Sequence, residues 1–377
     1  MRVYAKELKQ RTQSTVTYVE FHQRHKPPSE CVLYDPVNEL DDFKNATHLE
    51  SPNFLVTKED LRNIWSEKKS KDSMRFTTYF YPRIKEIVGF LRGVSSKDKE
   101  NRERYDGSVS IPALPKQSAG ASNDLKEAKS YVEQHFSRNP GTLEDDFIYP
   151  VTSKQAKVWL RDFVKHRLAS FGAFQDAVVE KEPWMFHSVL SSSINIGLLN
   201  PSEIIEVLKD AQAVPMNSLE GYVRQLIWRE YQRYCYIYLR GTLSERNRFE
   251  TQNKLTGAWY TGSTGVYPVD ASIKKAFQTG YLHHIERLMI VGNYMLLSEI
   301  RREDGFRWFM EFAIDSYEWV MYQNVYDMVF FSSGGRTTHK AYISGSAYVL
   351  RMTNYKKGQW TKIWDDKYKS FKKKIFK

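Results

Sequence analysis

The helical period of the residues after Val151 limits the possible folds of this chain more than any other feature. Apolar residues there recur at every third and fourth position, which favours amphipathic helices, and no strand-like alternation persists. The pattern is plainest in WLRDFVKHRLASF (159–171), PSEIIEVLKDAQ (201–212) and SLEGYVRQLIWREYQRYCYIYLR (218–240). We therefore predict a large all-helical domain over residues 151–355, followed by a basic tail over residues 356–377.

The first 70 residues differ, because strand signals alternate there with helix signals. Residues 1–11 have helical spacing, and Thr57 precedes a helix with acidic residues in its first turn. Three runs rich in β-branched and aromatic residues predict strands, namely STVTYVEF (14–21), CVLYDP (31–36) and FLVT (54–57). This alternation is typical of a parallel sheet covered by helices. We expect a Rossmann-like α/β domain over residues 1–70, truncated because the chain opens on a helix.

Residues 71–150 have the character of a connecting region. We predict helices over residues 74–91 and 123–136, separated by a polar stretch at residues 95–121 with the composition of an extended linker. The predicted fold class of the whole chain is thus α+β, mostly α. The tail at residues 356–377 carries nine lysines, and it either lies on a phosphate backbone or is simply solvated.

Charge and cysteine content narrow the classes of partner and compartment. Lys and Arg number 56 against 45 Asp and Glu, a net charge of +11, which favours nucleic acid as a partner over a merely basic surface. Aromatic residues make up 14% and suit either a core or stacking on bases and flat cofactors. Cys31 and Cys235 alone imply no disulfide framework. Without a membrane-length apolar run or a signal peptide, the sequence predicts a soluble, intracellular protein and no membrane partner.

Ionisable side chains stand in an apolar setting between Gly280 and Asn324. His283 and His284 lie beside an Arg and a Met on what reads as a long buried helix, and an Asp, a Glu and an amide follow among aromatics. Such groups are costly to bury unless they are paired or contact a ligand. The segment is therefore a candidate site lining.

Two other clusters carry polar groups on helical segments. HSVLSS (187–192) supplies hydroxyls and N–H groups that suit phosphate oxygens, although serine-rich turns also cap helices. Arg229 and Glu230 stand beside Trp228 on an apolar helix, where they form either part of a site or a buried structural ion pair.

The order and spacing of these segments resemble those of a known family. S-x-L-S, G-L-L-x-P, L-I-W-R-E-Y, H-H-x-x-R-L-M and D-x-Y-E-W succeed one another as in the flavin-binding helical domain of the photolyase/cryptochrome superfamily. The nearer resemblance is to its prokaryotic branch, photolyase-related proteins that usually carry an iron–sulfur cluster and include (6-4) photolyases. The supporting segments are residues 171–201, 215–231, 259–265, 280–297, 315–324 and 340–355, and more weakly 34–36, 51–57 and 100–102.

The resemblance implies a bent FAD inside the helical domain and UV-damaged DNA as the partner. The activity it implies is light-driven repair of (6-4) photoproducts, in which a histidine assists proton transfer after the excited reduced flavin donates an electron. His284, with His283 beside it, matches that catalytic histidine. Trp308, Tyr317 and Tyr260 match electron-transfer aromatics, with Tyr260 where Trp is usual. The implied cofactor-binding residues are Phe174, His187, Ser188, Leu190, Ser191, Arg229, Glu230, Arg287, Asp315, Tyr317 and Asn324.

The chain departs from the family pattern in two places. At the positions of cluster cysteines it has Pro268, Lys356 and Gln359, with no cysteine near Trp364, so we expect no iron–sulfur cluster. The first strand and helix of the antenna domain are missing from the pattern, which weighs against an antenna chromophore; that segment is either lost or supplied by a separate chain. Two alternatives to repair stay open, namely a cryptochrome-like photoreceptor without repair and a degenerate photolyase remnant.

Overall fold

The computed structural model describes residues 2–20, 23, 32–34, 37, 46–67, 75–116, 122–143 and 147–375. Helices dominate this part of the chain, which confirms the predicted mostly α fold class. The α-helices are α1 (Arg2–Thr12), α2 (Lys58–Ser66), α3 (Tyr81–Val88), α4 (Ser122–Phe136), α5 (Ser153–His166), α6 (Leu168–Phe174), α7 (Ser191–Asn195), α8 (Pro201–Lys209), α9 (Met216–Glu245), α10 (Ala258–Thr261), α11 (Tyr267–Thr279), α12 (Asn293–Leu297), α13 (Arg302–Phe312), α14 (Glu318–Tyr322), α15 (Ser346–Met352) and α16 (Gln359–Ile375). π-helical turns at Phe76–Phe80, Glu286–Gly292 and Gln323–Val329 adjoin α3, α12 and α14.

Strands β1 (Val32–Tyr34) and β2 (Thr47–Leu49) pair in parallel, with Val32 opposite Thr47. The strand predicted at residues 31–36 is thus confirmed at its centre, while Cys31 and residues 35–36 lie outside the described residues. Val32 and Leu49 are exposed.

Two predicted strands are wrong. Residues 14–20 form no strand; Phe21, the last residue of that prediction, lies outside the described residues. Residues 54–56 form bends and Thr57 is the extended N-cap of α2, because side chains of α9 hydrogen-bond to the backbone of residues 55 and 56. Leu55 N donates to a Glu230 carboxylate oxygen at 3.0 Å, and Arg233 Nη1 donates to Val56 O at 2.9 Å. These hydrogen bonds from distant side chains outweigh the strand propensity of the segment.

The structure contains the helices that were predicted between residues 57 and 136. Thr57 Oγ1 accepts from Asp60 N at 3.0 Å and Thr57 N donates to Asp60 Oδ2 at 2.8 Å, which is a capping box at the start of the helix predicted after Thr57. The helix predicted at residues 74–91 is present as a π-helical turn followed by α3, and the one at 123–136 is α4. The intervening polar stretch, described over residues 95–116, is irregular apart from a 3₁₀ turn at Asp98–Glu100. Its start packs on α9, where Asn101 is fully buried and donates to Asn217 O at 3.1 Å.

Helix α9 is the central element of the helical region, with core residues on most of its sides. Its first turn crosses α6 so closely that a Cβ added to Gly172 would lie 2.6 Å from Ser218 N. Only glycine permits this approach. One core surrounds α5, α6, α8 and α9, and a second surrounds α11 to α13 and α16. In the described ranges, no helix combines the length and hydropathy that crossing a bilayer requires.

The histidine segment is not the single long helix that its sequence suggests. Residues 280–283 are irregular, and the helical path begins at His284. The ring of His283 lies just before that path, where Nδ1 accepts a hydrogen bond from Ile285 N at 3.3 Å. The π-helical turns at Glu286–Gly292 and Gln323–Val329 then pack against each other. A Cβ added to Gly292 would lie 2.8 Å from a Val329 methyl carbon, so glycine allows their close contact.

Candidate functional site

A recess lies between these two π-helical turns. Such turns interrupt regular helix geometry and occur often at functional sites. Polar groups from both sides reach the recess, with His284 and Arg287 on one wall and Asn324 on the other. Apolar side chains complete the lining, namely Leu288, Phe309, Met321, Val325, Met328 and Val329.

Asp315 connects the recess to the serine-rich turn. Its carboxylate accepts hydrogen bonds from Arg287 Nη2 at 3.0 and 3.2 Å and from Ser191 Oγ at 2.7 Å. Its backbone carbonyl accepts from Asn195 Nδ2 at 2.8 Å. A second hydrogen bond, from Arg287 Nε to Leu282 O at 2.6 Å, holds the guanidinium in place. Three segments far apart in sequence are thus brought together, and Asp315 is the residue that they share.

The two histidines of the doublet occupy different environments. His283 is buried, with its ring stacked on that of His187 at 4.8 Å and 18°. His284 faces the recess and is open to solvent there, although protein surrounds it on its other sides. This enclosure, followed by the charge of Arg287, lowers the pKa of His284 to about 4. Burial also holds the pKa values of His283 and His187 well below the usual range. All three rings are therefore neutral near pH 7.

Arg229 and Glu230 both contact the N-terminal region, and Arg229 also contacts α7. Arg229 donates to Asn53 O at 2.6 Å and to Asn195 Oδ1 at 3.1 Å, and its guanidinium lies over the ring of Trp319 at 4.9 Å. Burial lowers the pKa of Arg229 to about 10 and raises that of Glu230 to about 7. The two charged groups approach only to 4.0 Å, so each is held mainly by its own partners.

Other residues predicted to bind the cofactor have varied positions. Ser188 hydrogen-bonds the buried Tyr222, and Leu190 is fully buried in the core around α9. Phe174 packs in a separate small cluster, 5.4 Å from the ring of Phe186. Tyr317 is partly exposed, at 38%.

Phe277 lies between Trp308 and Tyr260, two of the predicted electron-transfer aromatics. Trp308 is fully buried and donates from Nε1 to Trp259 O at 2.7 Å. The ring of Phe277 lies 5.8 Å from that of Trp308 and 5.9 Å from that of Tyr260. Tyr260 OH donates to Glu311 at 2.7 Å. Their electron-transfer roles, and that of Tyr317, stay predictions.

The four positions that match cluster cysteines of the family have different environments. Pro268 is buried in the first turn of α11, and Trp364 is buried with its ring 5.1 Å from that of Tyr294. Lys356 and Gln359 are exposed. Within the described part of the chain, no three His, Cys, Asp or Glu side chains are grouped as metal ligands would be. The absence of an iron–sulfur cluster remains a prediction.

Several ionisable residues near the site were not predicted from sequence. Lys275 and Glu286 form an ion pair of 2.5 Å behind His283. Glu286 lies within the histidine motif. A carboxylate among apolar neighbours is the sequence signal that could have identified it as part of the site. Asp176, whose pKa burial raises to about 6, lies near Asp98 and Arg224 through long-range folding that no local pattern reveals.

Family models match two separate parts of the chain. Residues 222–375 match the FAD binding domain of DNA photolyase, and residues 28–148 match the deoxyribodipyrimidine photo-lyase-related protein family. A (6-4) photolyase of Agrobacterium fabrum is 33% identical over 333 residues, which are 84% of this chain and 64% of that protein. The chain belongs to the photolyase/cryptochrome family. The resemblance seen in the sequence motifs is therefore confirmed, and the chain spans 64% of the length of that photolyase relative.

Solved structures of the photolyase/cryptochrome family share the fold. A class III photolyase from Agrobacterium tumefaciens superposes with a TM-score of 0.54 at 16% identity, over 88% of this chain and 74% of that one. A Synechocystis cryptochrome gives a TM-score of 0.53 at 15% identity, over 87% and 62%. At these identities the likeness concerns the fold alone.

The neutral histidines predict that this photolyase-family protein loses stability in acid. Their pKa values are lowered in the folded state, so unfolding takes up protons below about pH 6.5, and the free energy of unfolding falls as the pH drops from there. His283 and His187 account for most of this loss, because solvent reaches His284 in the recess and weakens its share. Asp176 and Glu230 have raised pKa values and oppose this trend in part.

Replacing His187 by Phe keeps a ring on His283 and removes one of these groups. In denaturant titrations at about pH 7 and about pH 5, the loss of stability in acid should shrink by up to about 2 kcal/mol. A loss in His187→Phe equal to that of the wild type would contradict the assignment.

Proposed function

We propose that this chain is a FAD-dependent, light-driven DNA-repair enzyme of the (6-4) photolyase type. The observation that carries the proposal is the placement of His284, which opens onto a recess whose wall is fixed by the Arg287–Asp315 pair. Support comes from the match of residues 222–375 to the FAD binding domain and from the (6-4) photolyase relative. We also propose that residues 151–355 form the flavin-binding domain, joined through residues 71–150 to an α/β region over residues 1–70.

The donor groups of the site fit FAD. Arg229 Nη2 is buried and has no hydrogen-bond partner among the described residues. An unpaired guanidinium donor is destabilising, and a phosphate oxygen is a favourable partner for it. Ser191, Asn195 and Arg287 would hold the polar part of the cofactor, while Asn324, Leu288 and Phe309 would contact its ring system. Bound FAD, when reduced and excited, supplies the electron for lesion reversal.

The protein's own contribution to repair would be proton handling and positioning. His284 is neutral near pH 7, so it can accept a proton at one ring nitrogen while donating from the other. Negative charge from a DNA backbone stabilises the imidazolium form, so damaged DNA entering the recess raises the pKa of His284. The net charge of +11 favours that encounter.

Three measurements on purified protein test the proposal against its alternatives. They are flavin content, photoreduction of the flavin, and reversal of a defined (6-4) lesion in an oligonucleotide under light and in the dark. We expect bound FAD, photoreduction and reversal only in light. FAD and photoreduction without reversal would favour a photoreceptor and refute repair, whereas protein that takes up no FAD would be the degenerate remnant.

A further inference from the structure

Four ionisable side chains form a buried row behind the recess. Lys275 Nζ donates to Glu286 Oε1 at 2.5 Å, and Glu286 Oε2 lies 3.7 Å from His283 Nε2. The ring of His283 then stacks on that of His187. Glu286 is fully buried, and the Lys275 side chain is 12% exposed. The row links α11 to the serine-rich turn without passing through Asp315.

The hydrogen bonds fix which nitrogen of His283 carries the proton. Nδ1 accepts from Ile285 N, so it holds a lone pair, and the N–H of the neutral ring must be on Nε2. Nε2 has no other partner among the described residues, and neither does Glu286 Oε2, the atom that faces it. The separation of 3.7 Å exceeds a hydrogen bond.

Burial and the neighbouring charge of Lys275 together keep His283 neutral. A buried carboxylate without a counter-charge is destabilising and favours protonation of a neighbouring base. Lys275 supplies the counter-charge for Glu286. Burial comes first in lowering the pKa of His283, followed by the positive charge of Lys275, the titration of His284 and the charge of Arg287. On the far side of the stack, Arg167 and Glu286 act in opposite directions on His187. The positive groups around His283 therefore oppose a charge on its ring.

We propose that Lys275 and Glu286 are positioning residues that hold His283 neutral, protonated on Nε2 and stacked on His187. The stack of the two rings holds the serine-rich turn against the segment that carries His284. The histidine doublet is thereby divided, with His283 as an anchor and His284 as the acid–base group. This inference rests on the proposed function only where it assigns the recess to FAD.

Substitutions of Lys275 and Glu286 distinguish the effect of charge on His283 from the effect of hydrogen bonding. Lys275→Met leaves Glu286 uncompensated, and His283 should then become protonated at about pH 7 by forming an ion pair with it. Lys275→Gln combined with Glu286→Gln retains two hydrogen-bonding side chains without charge, so His283 should return to the neutral form. Lys274→Met, at an exposed position beside Lys275, is the matched control.

Nitrogen-15 NMR of histidine-labelled protein reads the tautomer and charge of His283 directly, with its signals assigned by the loss that His283→Gln causes. We expect the Nε2–H tautomer in the wild type, the Lys274→Met control and the double variant, and a cationic ring in Lys275→Met. FAD affinity should fall about tenfold in Lys275→Met and recover in the double variant. Should Lys275→Met not fold, Lys275→Gln takes its place.

An Nδ1–H tautomer or a cationic ring in the wild type would overturn the inference, as would a neutral ring in the folded single variant. The NMR signals are read without FAD as well as with it. Failure of FAD binding alone would therefore count against the proposed function and not against the role of this pair.

Discussion

His284→Ala should reduce light-driven reversal of a (6-4) lesion by about 100-fold or more while the protein keeps its FAD. A positioned acid–base side chain contributes about 10²–10⁴ to a rate, and His284 is the histidine of the doublet that opens onto the recess. Its side chain donates no hydrogen bond that holds the Arg287–Asp315 pair together, so removing it should leave that pair intact. Initial rates of restored oligonucleotide under saturating light, together with flavin absorbance, measure both effects.

His339→Ala is the matched control for this variant, because His339 is an exposed histidine away from the recess lining. It should repair at the wild-type rate. Full repair by His284→Ala would refute the acid–base role, and loss of FAD together with activity would make His284 a cofactor-binding residue instead.

Asp315→Ala should reduce FAD affinity by about two orders of magnitude and lower the free energy of unfolding by about 3 kcal/mol. Removing one partner of a buried ion pair leaves the other charge uncompensated, and here the stranded group is Arg287, whose side chain is 15% exposed. Ser191 loses its acceptor as well, so the serine-rich turn is no longer held to the recess. Flavin titration and denaturant unfolding of the same preparations measure the two losses.

Asp315→Asn and Asp366→Ala make this test specific. The first keeps an amide oxygen as acceptor and should lose less FAD affinity than Asp315→Ala. The second removes an exposed carboxylate from α16 and should change neither quantity. Wild-type FAD affinity in Asp315→Ala would show that this residue does not organise the site.

The helical region could be predicted from sequence because its signals are local. The apolar spacing of residues 218–240 gives α9 directly, and Thr57 with Asp60 gives the start of α2. The strand predicted at residues 54–57 is wrong because contacts with residues distant in sequence determine the local conformation. Residues 54–57 have strand composition, yet Glu230 and Arg233 from α9 hold their backbone groups, and no local pattern contains that information.

The site shows the same division between local and distant information. The histidine motif, the serine-rich turn and Asp315 were recognisable as segments, and the structure brings them together. The separation of His283 from His284 depends on a break in the helix before residue 284 and on Lys275 of α11. Periodicity could not reveal either feature, because an irregular start and a π-helical turn leave the apolar spacing nearly unchanged.

The binding of FAD by the purified protein is the measurement on which the remaining roles depend. Titration of flavin-free protein with FAD, followed by the change in flavin fluorescence, should reach saturation at about one FAD per chain. Asp315→Ala should shift the curve to higher FAD concentrations, and Asp366→Ala should leave it in place. A folded protein that shows no saturable FAD binding would contradict the assignment of the recess as a flavin site.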